Sequence, residues 1–563
     1  MATDLGADTR DADDEAAGPR GAVTSGRRLL AAVLVAVNLP IVVATVRALA
    51  RGWQPVGDNG ILLVRARDVG TSNHPLLGSW TSASLVLDQH VNNPGPLYFD
   101  AVAPWLRLLG PWVGLAVGVM VMNVAASSGA VLAARRIAGA TSMVAVAIVV
   151  VGLQFAMGSE LLFDMWQPNA LVLPFLAYLV VVTALAGGDL WMAPWAVGLA
   201  SLVVQTHMSH AVPVAVMTLA GLGLCVRALR RRGQAVAWRR PALWAGAVVV
   251  VAWSQPLIEQ FTSRGDGNLS RIAAAATSGE ADPIGWSRAT KLVAEITVMG
   301  PWFTRHSYGG ALPPTASDAP IEGIVGLGTA VVVLALLAVA IGLGVVGAIR
   351  TGREAVATMA GVAGIALAAG YVALAISPVN LVAVAIHQMR WLWPIAALVT
   401  AAGLTLVLSS LQARPHLQGR ALVGGVVLAI AVALANLPTY TSESPGPTDQ
   451  GDDDLTAGLE LMSQLDALEG RGTVLYDPSL LLFAEPFSGM TFAEMQDRGI
   501  PFVFDDEGMV RQFGEGRRHD GSADLRMWQV EGAAALTVPP GVERVALAER
   551  SSGPVALMVE PLG

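Results

Sequence analysis

The feature that most constrains this chain is a series of long apolar segments separated by short polar stretches. A segment of about 20 apolar residues is long enough to cross the hydrocarbon core of a bilayer. Eleven such segments lie at roughly 28–50, 111–134, 140–157, 168–186, 191–206, 211–227, 241–258, 321–349, 356–376, 390–411 and 420–437. The polar run "QTHMSH" (205–210) leaves open whether residues 191–227 form two shorter helices or one bent helix. Only 14% of the residues are charged, whereas soluble proteins carry about 25%. The sequence therefore predicts a polytopic α-helical membrane protein with about eleven transmembrane helices.

The distribution of arginine predicts the orientation of these helices. Arginines cluster in every second connection except the short "GGDL" turn (187–190). They lie near residues 27–28, 135–136, 227–240, 350–353 and 414–420, with six of them within 227–240. Because cytoplasmic loops carry an excess of Lys and Arg, we expect a multi-pass protein of the cell membrane with a cytoplasmic N-terminus. A signal peptide cleaved after "ALA" (48–50) is the alternative, but the apolar stretch is longer than the usual 7–15 residues.

The sequence divides into three regions. Residues 1–27 contain few large apolar side chains, so we expect a disordered cytoplasmic tail. Residues 28–437 form the transmembrane domain, and the predicted orientation places its two large loops, 51–97 and 259–320, on the outer face. Residues 438–563 begin with a polar linker and continue with short strand-like segments and a helical pattern. This pattern predicts a small extracytoplasmic α/β domain.

The first outer loop concentrates polar residues in short motifs. It begins with "GDNGILLVRARDV" (57–69), continues with "HPLLGSW" (74–80) and ends with "NPGPLYF" (93–99). These stretches are compatible with short helices on the outer leaflet, and the Pro-rich element breaks the chain before the next span. Asp58 is either an ordinary solvated loop residue or a functional acid. The further candidate binding residues of this loop are Arg65, Arg67, His74, Asn93 and Tyr98.

These motifs resemble those of the GT-C superfamily of membrane glycosyltransferases. The pattern G-D-x6-R-A-R followed by "NPGPLY" is similar to the first outer loop of protein O-mannosyltransferases and lipid A aminoarabinose transferases, and "DMWQPNA" (164–170) resembles the W-x-P element of that branch. The resemblance implies a GT-C-like fold and a sugar donor of the polyprenyl-phosphate type. It places Asp58 where the family has its catalytic acid. This chain departs from the family at Asn59, where Glu is frequent.

A single carboxylate is sufficient for this chemistry. The phosphate of a lipid-linked donor leaves readily, so one general base can activate the acceptor hydroxyl while cationic or hydrogen-bonding groups stabilise the departing phosphate. With no second carboxylate evident as a nucleophile, the reaction is expected to invert the sugar configuration. We therefore assign Asp58 as the general base, with Asp88 and Asp164 as competing acids and Asp164 as a candidate binding residue.

Polar residues at the outer ends of apolar segments are further candidates, because such groups are costly in lipid. They either cap helices and reach the interface, or they line the cavity that holds the donor phosphate. Arg390 is the main phosphate candidate because a guanidinium presents paired donors. The others are His207 and His210 in "QTHMSH", His387 in "AIHQMRWLWP", and Asn268 in the loop 259–320. No metal or cofactor is expected, since two histidines lack a third ligand and Cys225 lies in an apolar run.

The sequence thus predicts transfer of a sugar from a polyprenyl-phosphate donor to an envelope polysaccharide, lipid or protein. Nothing in the charge pattern indicates nucleic-acid binding. A polytopic transporter or a lipid-linked sugar flippase is the alternative, but such proteins usually show related halves and broken helices near the midplane. A non-catalytic scaffold that displays the C-terminal domain is a third interpretation, and it leaves the long first outer loop unexplained.

Overall fold

The computed structural model is mostly helical and describes residues 19–85, 89–233, 237–263, 265–278, 282–299, 325–379, 386–437, 448–481 and 485–562. The helices, numbered in chain order, are α1 (Pro19–Ala50), α2 (Asp58–Asp68), α3 (Leu97–Leu109), α4 (Pro111–Ala138), α5 (Ala140–Met157), α6 (Gln167–Ala170), α7 (Val172–Ala186), α8 (Ala193–Thr206), α9 (Ala211–Arg232), α10 (Arg239–Thr262), α11 (Asn268–Ser278), α12 (Trp286–Thr297), α13 (Leu327–Arg350), α14 (Glu354–Ile376), α15 (Leu392–Ser410), α16 (Pro415–Asn436), α17 (Thr448–Ser463), α18 (Phe487–Asp497), α19 (Glu507–Phe513) and α20 (Ala533–Leu536).

The described residues contain ten helical segments that are long and apolar enough to span a membrane. They are α1, α4, α5, the continuous run of α6 and α7, α9, α10, α13, α14, α15 and α16. The predicted polytopic membrane fold is therefore confirmed. The remaining predicted segment, 191–206, forms the shorter helix α8. The chain does not continue as one bent helix into α9, because the backbone of His207 is extended, with φ −151° and ψ 112°.

The central element of the membrane domain is the segment Gln167–Ala186. It is buried along its whole length and packs against α4, α8, α9, α14 and α15. A helix that is apolar on every side belongs in the interior of a bundle, which is where this segment lies. Helix α13, in contrast, exposes Val331, Leu336 and Leu343 to the surroundings. Ordinary lipid contact explains such a surface.

Short helices lie between the first two spans, as the sequence motifs of that connection predict. Helix α2 begins at Asp58 and α3 begins directly after Pro96. Helix α2 has little amphipathic character, yet most of its residues are buried, because α3 covers it on one side and the C-terminal domain on another. The position of α2 is thereby set by α3 and the C-terminal domain together.

The C-terminal domain is built on a five-stranded mixed sheet. Its strands are β1 (Val474–Tyr476), β2 (Phe502–Val503), β3 (Leu525–Glu531), β4 (Glu543–Ala548) and β5 (Val555–Pro561). They are arranged in the order β2-β1-β3-β5-β4. Strand β1 pairs parallel with β2 and β3, and the pairs β3–β5 and β4–β5 are antiparallel. Packed aromatic rings of Phe492, Phe502, Phe504 and Phe513 form its core. The predicted small C-terminal domain is thus confirmed.

A buried ion cluster joins the C-terminal domain to α2. The Asp68 carboxylate accepts hydrogen bonds from Arg65 at 2.7 Å and from Arg517 at 2.6 and 2.8 Å. All three residues are buried, and Gln496 donates a further bond to Asp68 at 2.9 Å. Since a charge left unpaired in such a place is costly, the cluster fixes the two parts of the protein in one arrangement.

Candidate functional site

Asp58 lies at the first residue of α2, where the chain has turned away from the first span. The turn is made at Gly57, whose φ of 59° favours glycine. Asp58 is solvent-exposed, but the surrounding protein desolvates it and raises the pKa of its carboxyl above the ordinary value. Asp58 therefore combines access to solvent with a local environment that disfavours its charged form.

Asp164 is a second acid close to Asp58, and it is buried. Its carboxylate accepts hydrogen bonds from the Asn59 amide at 2.8 Å, from the Asn169 amide at 2.5 Å and from the Trp166 backbone at 3.1 Å. Burial raises the pKa of Asp164, while these bonds and the charge of Arg390 act in the opposite direction. Asn59 therefore acts as a hydrogen-bond donor that holds Asp164.

Trp166 connects the acid to the cation of the site. Its indole side chain hydrogen-bonds the Asp58 carboxylate, and the Arg390 guanidinium lies 5.4 Å from the centroid of its ring. A guanidinium over an indole ring is attracted by the π system. The "DMWQPNA" element, the start of α2 and the segment before α15 thus converge, although more than 200 residues separate Trp166 from Arg390.

Tyr98 supports the same region from α3. Its hydroxyl donates to the Met165 carbonyl at 2.8 Å. Burial, together with the nearby charge of Asp164, raises the pKa of Tyr98 well above its ordinary value. Tyr98 therefore remains a neutral hydrogen-bond donor that holds the chain segment between Asp164 and Trp166.

Sequence reasoning did not identify Glu485, which the C-terminal domain brings near Asp58. The Glu485 carboxylate accepts bonds from the Phe487 and Ser488 backbones at 2.8 and 3.1 Å and from the Gln529 amide at 2.9 Å. Its negative charge contributes to the raised pKa of Asp58. The only sequence signal was an acid before a helix, which is common as a helix cap and does not by itself indicate function.

The two arginines of the first motif face the C-terminal domain. Arg65 pairs with Asp68 and donates to the Phe513 carbonyl at 2.8 Å. Arg67 pairs with Asp497 at 3.0 Å. Both arginines are candidate binding residues. The structure places them between α2 and the C-terminal domain, where they bond to protein groups and lie apart from the cluster of Asp58, Trp166 and Arg390.

Three other candidates of the outer loops are also engaged with protein. His74 contacts the Gln255 amide oxygen at 3.0 Å. Asn93 accepts a bond from the Met208 backbone at 2.9 Å. Asn268 exchanges two bonds of 2.9 Å with the Asn92 backbone and accepts from Arg511 at 3.0 Å. The Asn268 contacts join the two long loops to each other and, through Arg511, to the C-terminal domain.

The histidine candidates differ in their surroundings. His210 is buried and packs edge-on against Phe175, with ring centroids 5.1 Å apart. The ring centroids of His207 and His210 are 5.9 Å apart, and Nδ1 of His207 lies 2.7 Å from the Ser209 hydroxyl oxygen. The side chain of His387 and the whole of Asp88 lie outside the described residues. Within the described ranges, no three His, Cys, Asp or Glu side chains form a group that would hold a metal ion.

Comparison with known proteins supports the architecture. No protein-family model and no curated protein matches this sequence. The structure is similar to that of ArnT from Cupriavidus metallidurans, solved bound to undecaprenyl phosphate, with a TM-score of 0.53, 12% identity, and coverage of 96% of this chain and 98% of that one. The apo oligosaccharyltransferase of Archaeoglobus fulgidus gives a TM-score of 0.42 at 12% identity, covering 88% of this chain and 69% of that one. Over nearly its whole length, this chain therefore has an ArnT-like fold, as its resemblance to GT-C proteins predicts.

Proposed function

We propose that this protein is a membrane glycosyltransferase that transfers a sugar from a polyprenyl-phosphate donor to an envelope acceptor on the outer face. The observation that carries the proposal is the desolvated yet accessible carboxyl of Asp58, bonded to Trp166 beside Arg390. The ArnT-like fold supports the class of enzyme, and the undecaprenyl phosphate bound to ArnT supports the class of donor. The arginine-rich connections support an outer location for this site.

Asp58 acts in this proposal as the general base. The acceptor hydroxyl oxygen attacks the anomeric carbon, its proton passes to the Asp58 carboxylate, and the bond from sugar to phosphate breaks with both electrons on the phosphate. A base works best when its pKa lies near the working pH, and the raised pKa of Asp58 moves it in that direction. Attack from the side opposite the phosphate inverts the configuration at the sugar.

Arg390 is proposed to bind the donor phosphate. Its guanidinium is held over Trp166 and interacts electrostatically with Asp164, so its position is set before the donor arrives. A planar fork of donors suits phosphate oxygens. The attraction between the guanidinium and the phosphate is strongest in the transition state, when the phosphate takes up the electrons of the broken bond.

Asp164 is proposed to be a positioning residue. The described hydrogen bonds occupy both of its carboxylate oxygens with Asn59, Asn169 and the Trp166 backbone. These bonds orient the residue next to Asp58 and the segment that carries Trp166. A carboxylate engaged in this way is less suited than Asp58 to accept a proton from a substrate.

Transfer assays with purified protein in nanodiscs test the assignment, with a panel of polyprenyl-phosphate sugars and release of polyprenyl phosphate as the readout. Asp58→Asn should reduce transfer by about 10²- to 10⁴-fold with little change in donor binding. The matched control is Asp100→Asn in α3, because Asn still accepts the bond that Gln255 donates to Asp100 at 2.7 Å.

Asp164→Asn completes the comparison. Its amide group would face the donating amides of Asn59 and Asn169, so we expect an intermediate loss of transfer together with reduced thermal stability. Full activity of Asp58→Asn would remove the catalytic assignment. Movement of the lipid-linked sugar across the bilayer, with no cleavage of its phosphate bond, would favour a flippase instead.

A further inference from the structure

An apolar cavity of about 500 Å³ lies in the membrane domain, away from Asp58. Helices α7, α8, α9 and α10 line it, with side chains that include Val182, Leu222, Ala242 and Val249. The polar groups in its wall are satisfied locally: the Trp253 indole donates to the Ser201 hydroxyl at 3.0 Å, and the Thr218 hydroxyl bonds Tyr178. The cavity therefore suits a hydrocarbon ligand.

The cavity has the shape of a groove that opens toward lipid. Along α10 its lining runs from Trp238 to Trp253, which corresponds to roughly 22 Å of helix, compared with about 30 Å for the whole hydrocarbon core. Helices α7 and α8 form its floor, while α9 and α10 form its sides. Leu222, Trp238 and Val249 on the two sides are exposed, Trp238 at 60%. A flexible chain can therefore enter from the bilayer.

One end of this groove carries a cluster of arginines. Helix α9 ends with Arg230, Arg231 and Arg232, and α10 begins with Arg239 and Arg240, directly after the groove residue Trp238. All five are exposed. No described acidic side chain forms an ion pair with any of them, and the nearby Asp189 is paired with Arg136 at 2.5 Å. The positive charge at this end is thus available to an anionic group.

The arginine end and the Asp58 site lie at opposite ends of the membrane domain. The segment Gln167–Ala186 begins beside Trp166, which bonds Asp58. It ends beside Gly187, whose carbonyl accepts a bond from Arg232 at 2.7 Å. A lipid whose phosphate contacts the arginines is therefore separated from the proposed donor phosphate by the length of a membrane span.

We propose that this groove binds an anionic phospholipid of the leaflet that borders the arginines, with one acyl chain between α9 and α10 and the phosphate at the arginine cluster. Guanidinium groups match phosphate oxygens, and basic clusters next to spans attract anionic lipids. The exposed Trp238 lies where aromatic residues favour the interface between headgroups and chains. This inference is independent of the proposed enzymatic activity.

Native mass spectrometry of the detergent-purified full chain tests the proposal, with dioleoyl phosphatidylglycerol and dioleoyl phosphatidylcholine as probes that differ only in headgroup. One phosphatidylglycerol should be retained more strongly than phosphatidylcholine. The double variant Arg239→Gln/Arg240→Gln should weaken phosphatidylglycerol binding by about fivefold for each arginine and leave phosphatidylcholine unchanged. Ala242→Phe, which adds a ring to the groove at an exposed position, should weaken both lipids.

The matched control is Arg414→Gln/Arg420→Gln, which removes the exposed Arg414 directly before α16 and the exposed Arg420 in the second turn of α16, on the same face of the domain. It should retain phosphatidylglycerol like the wild type. Equal binding of the two lipids, or an equal loss in the control, would overturn the proposal. Displacement of the phospholipid by undecaprenyl phosphate, with Ala242→Phe abolishing the competition, would assign the groove to a polyprenyl chain and also contradict it.

Discussion

Gly60 of α2 and Gly489 of α18 pack backbone against backbone. A Cβ atom on Gly60 would lie 2.4 Å from the carbonyl carbon of Gly489, and one on Gly489 would lie 2.2 Å from the carbonyl oxygen of Gly57. The Gly57 amide also donates to the Pro486 carbonyl at 2.9 Å. The C-terminal domain therefore touches the turn that precedes Asp58, so the site depends on both parts of the chain.

Gly489→Ala should weaken this interface. The neighbouring atoms belong to the backbone and cannot rotate away, so α2 and α18 must separate, at a cost of about 1–3 kcal/mol. Thermal unfolding in detergent measures the effect. Gly361→Ala in α14 is the control, because a Cβ there meets nothing within 4 Å and alanine favours a helix. An unchanged melting temperature in Gly489→Ala would show that the contact is loose in solution.

Asp68→Asn should be more damaging than loss of an exposed acid. The change leaves Arg65 and Arg517 buried without their shared carboxylate, and breaking a buried pair in this way costs about 3–5 kcal/mol. Asp497→Asn removes the partner of Arg67 at a residue whose side chain is 41% exposed, so at most about 1 kcal/mol is expected. Thermal unfolding of the two variants side by side decides the point, and equal stability would contradict the assigned role of Asp68.

Glu485→Gln should change the pH dependence of transfer. Asp58 must be ionised to act as a base, so activity falls on the acid side as Asp58 becomes protonated. Desolvation by the surrounding protein has the largest effect and raises the pKa of Asp58; the charges of Asp164 and Glu485 also raise it, while the hydrogen bond with Trp166 lowers it. Removing the Glu485 charge therefore lowers the pKa of Asp58, and the acidic limb of kcat/KM should move to lower pH.

Glu507→Gln is the control for this experiment, because Glu507 is paired with Arg518 within the C-terminal domain. It should leave the acidic limb in place. An unmoved limb in Glu485→Gln, in an enzyme that still requires Asp58, would exclude Glu485 from the site without affecting the assignment of the base.

Arg390→Lys should weaken donor binding without abolishing it. Lysine keeps the positive charge but loses both the paired donors and the planar group that stacks over Trp166. Arg390→Ala should weaken binding further. Equilibrium binding of undecaprenyl phosphate measures both variants, with Arg353→Lys in the connection between α13 and α14 as the control. Wild-type affinity in Arg390→Ala would place the phosphate elsewhere.

The membrane spans could be predicted from the sequence because the requirement for them is local. A bilayer demands about 20 consecutive apolar residues, so length and composition identify α4, α5 or α14 without knowledge of their neighbours. The helix-compatible run that follows Asp58 and the short strands of the C-terminal domain could also be predicted, because their patterns are local as well. The break at His207 was marked by the polar run "QTHMSH", and only the structure showed that it separates two helices.

The composition of the site was decided by tertiary packing. Asp58, Asp164, Arg390 and Glu485 come from four distant parts of the chain, and the spacing between them carries no signal of their proximity. Arg65 shows the converse, since it lies in the same motif as Asp58 but pairs with Asp68. Apolar length is a property of a single segment. The partner of a polar side chain, in contrast, depends on which segment ends come together when the helices pack.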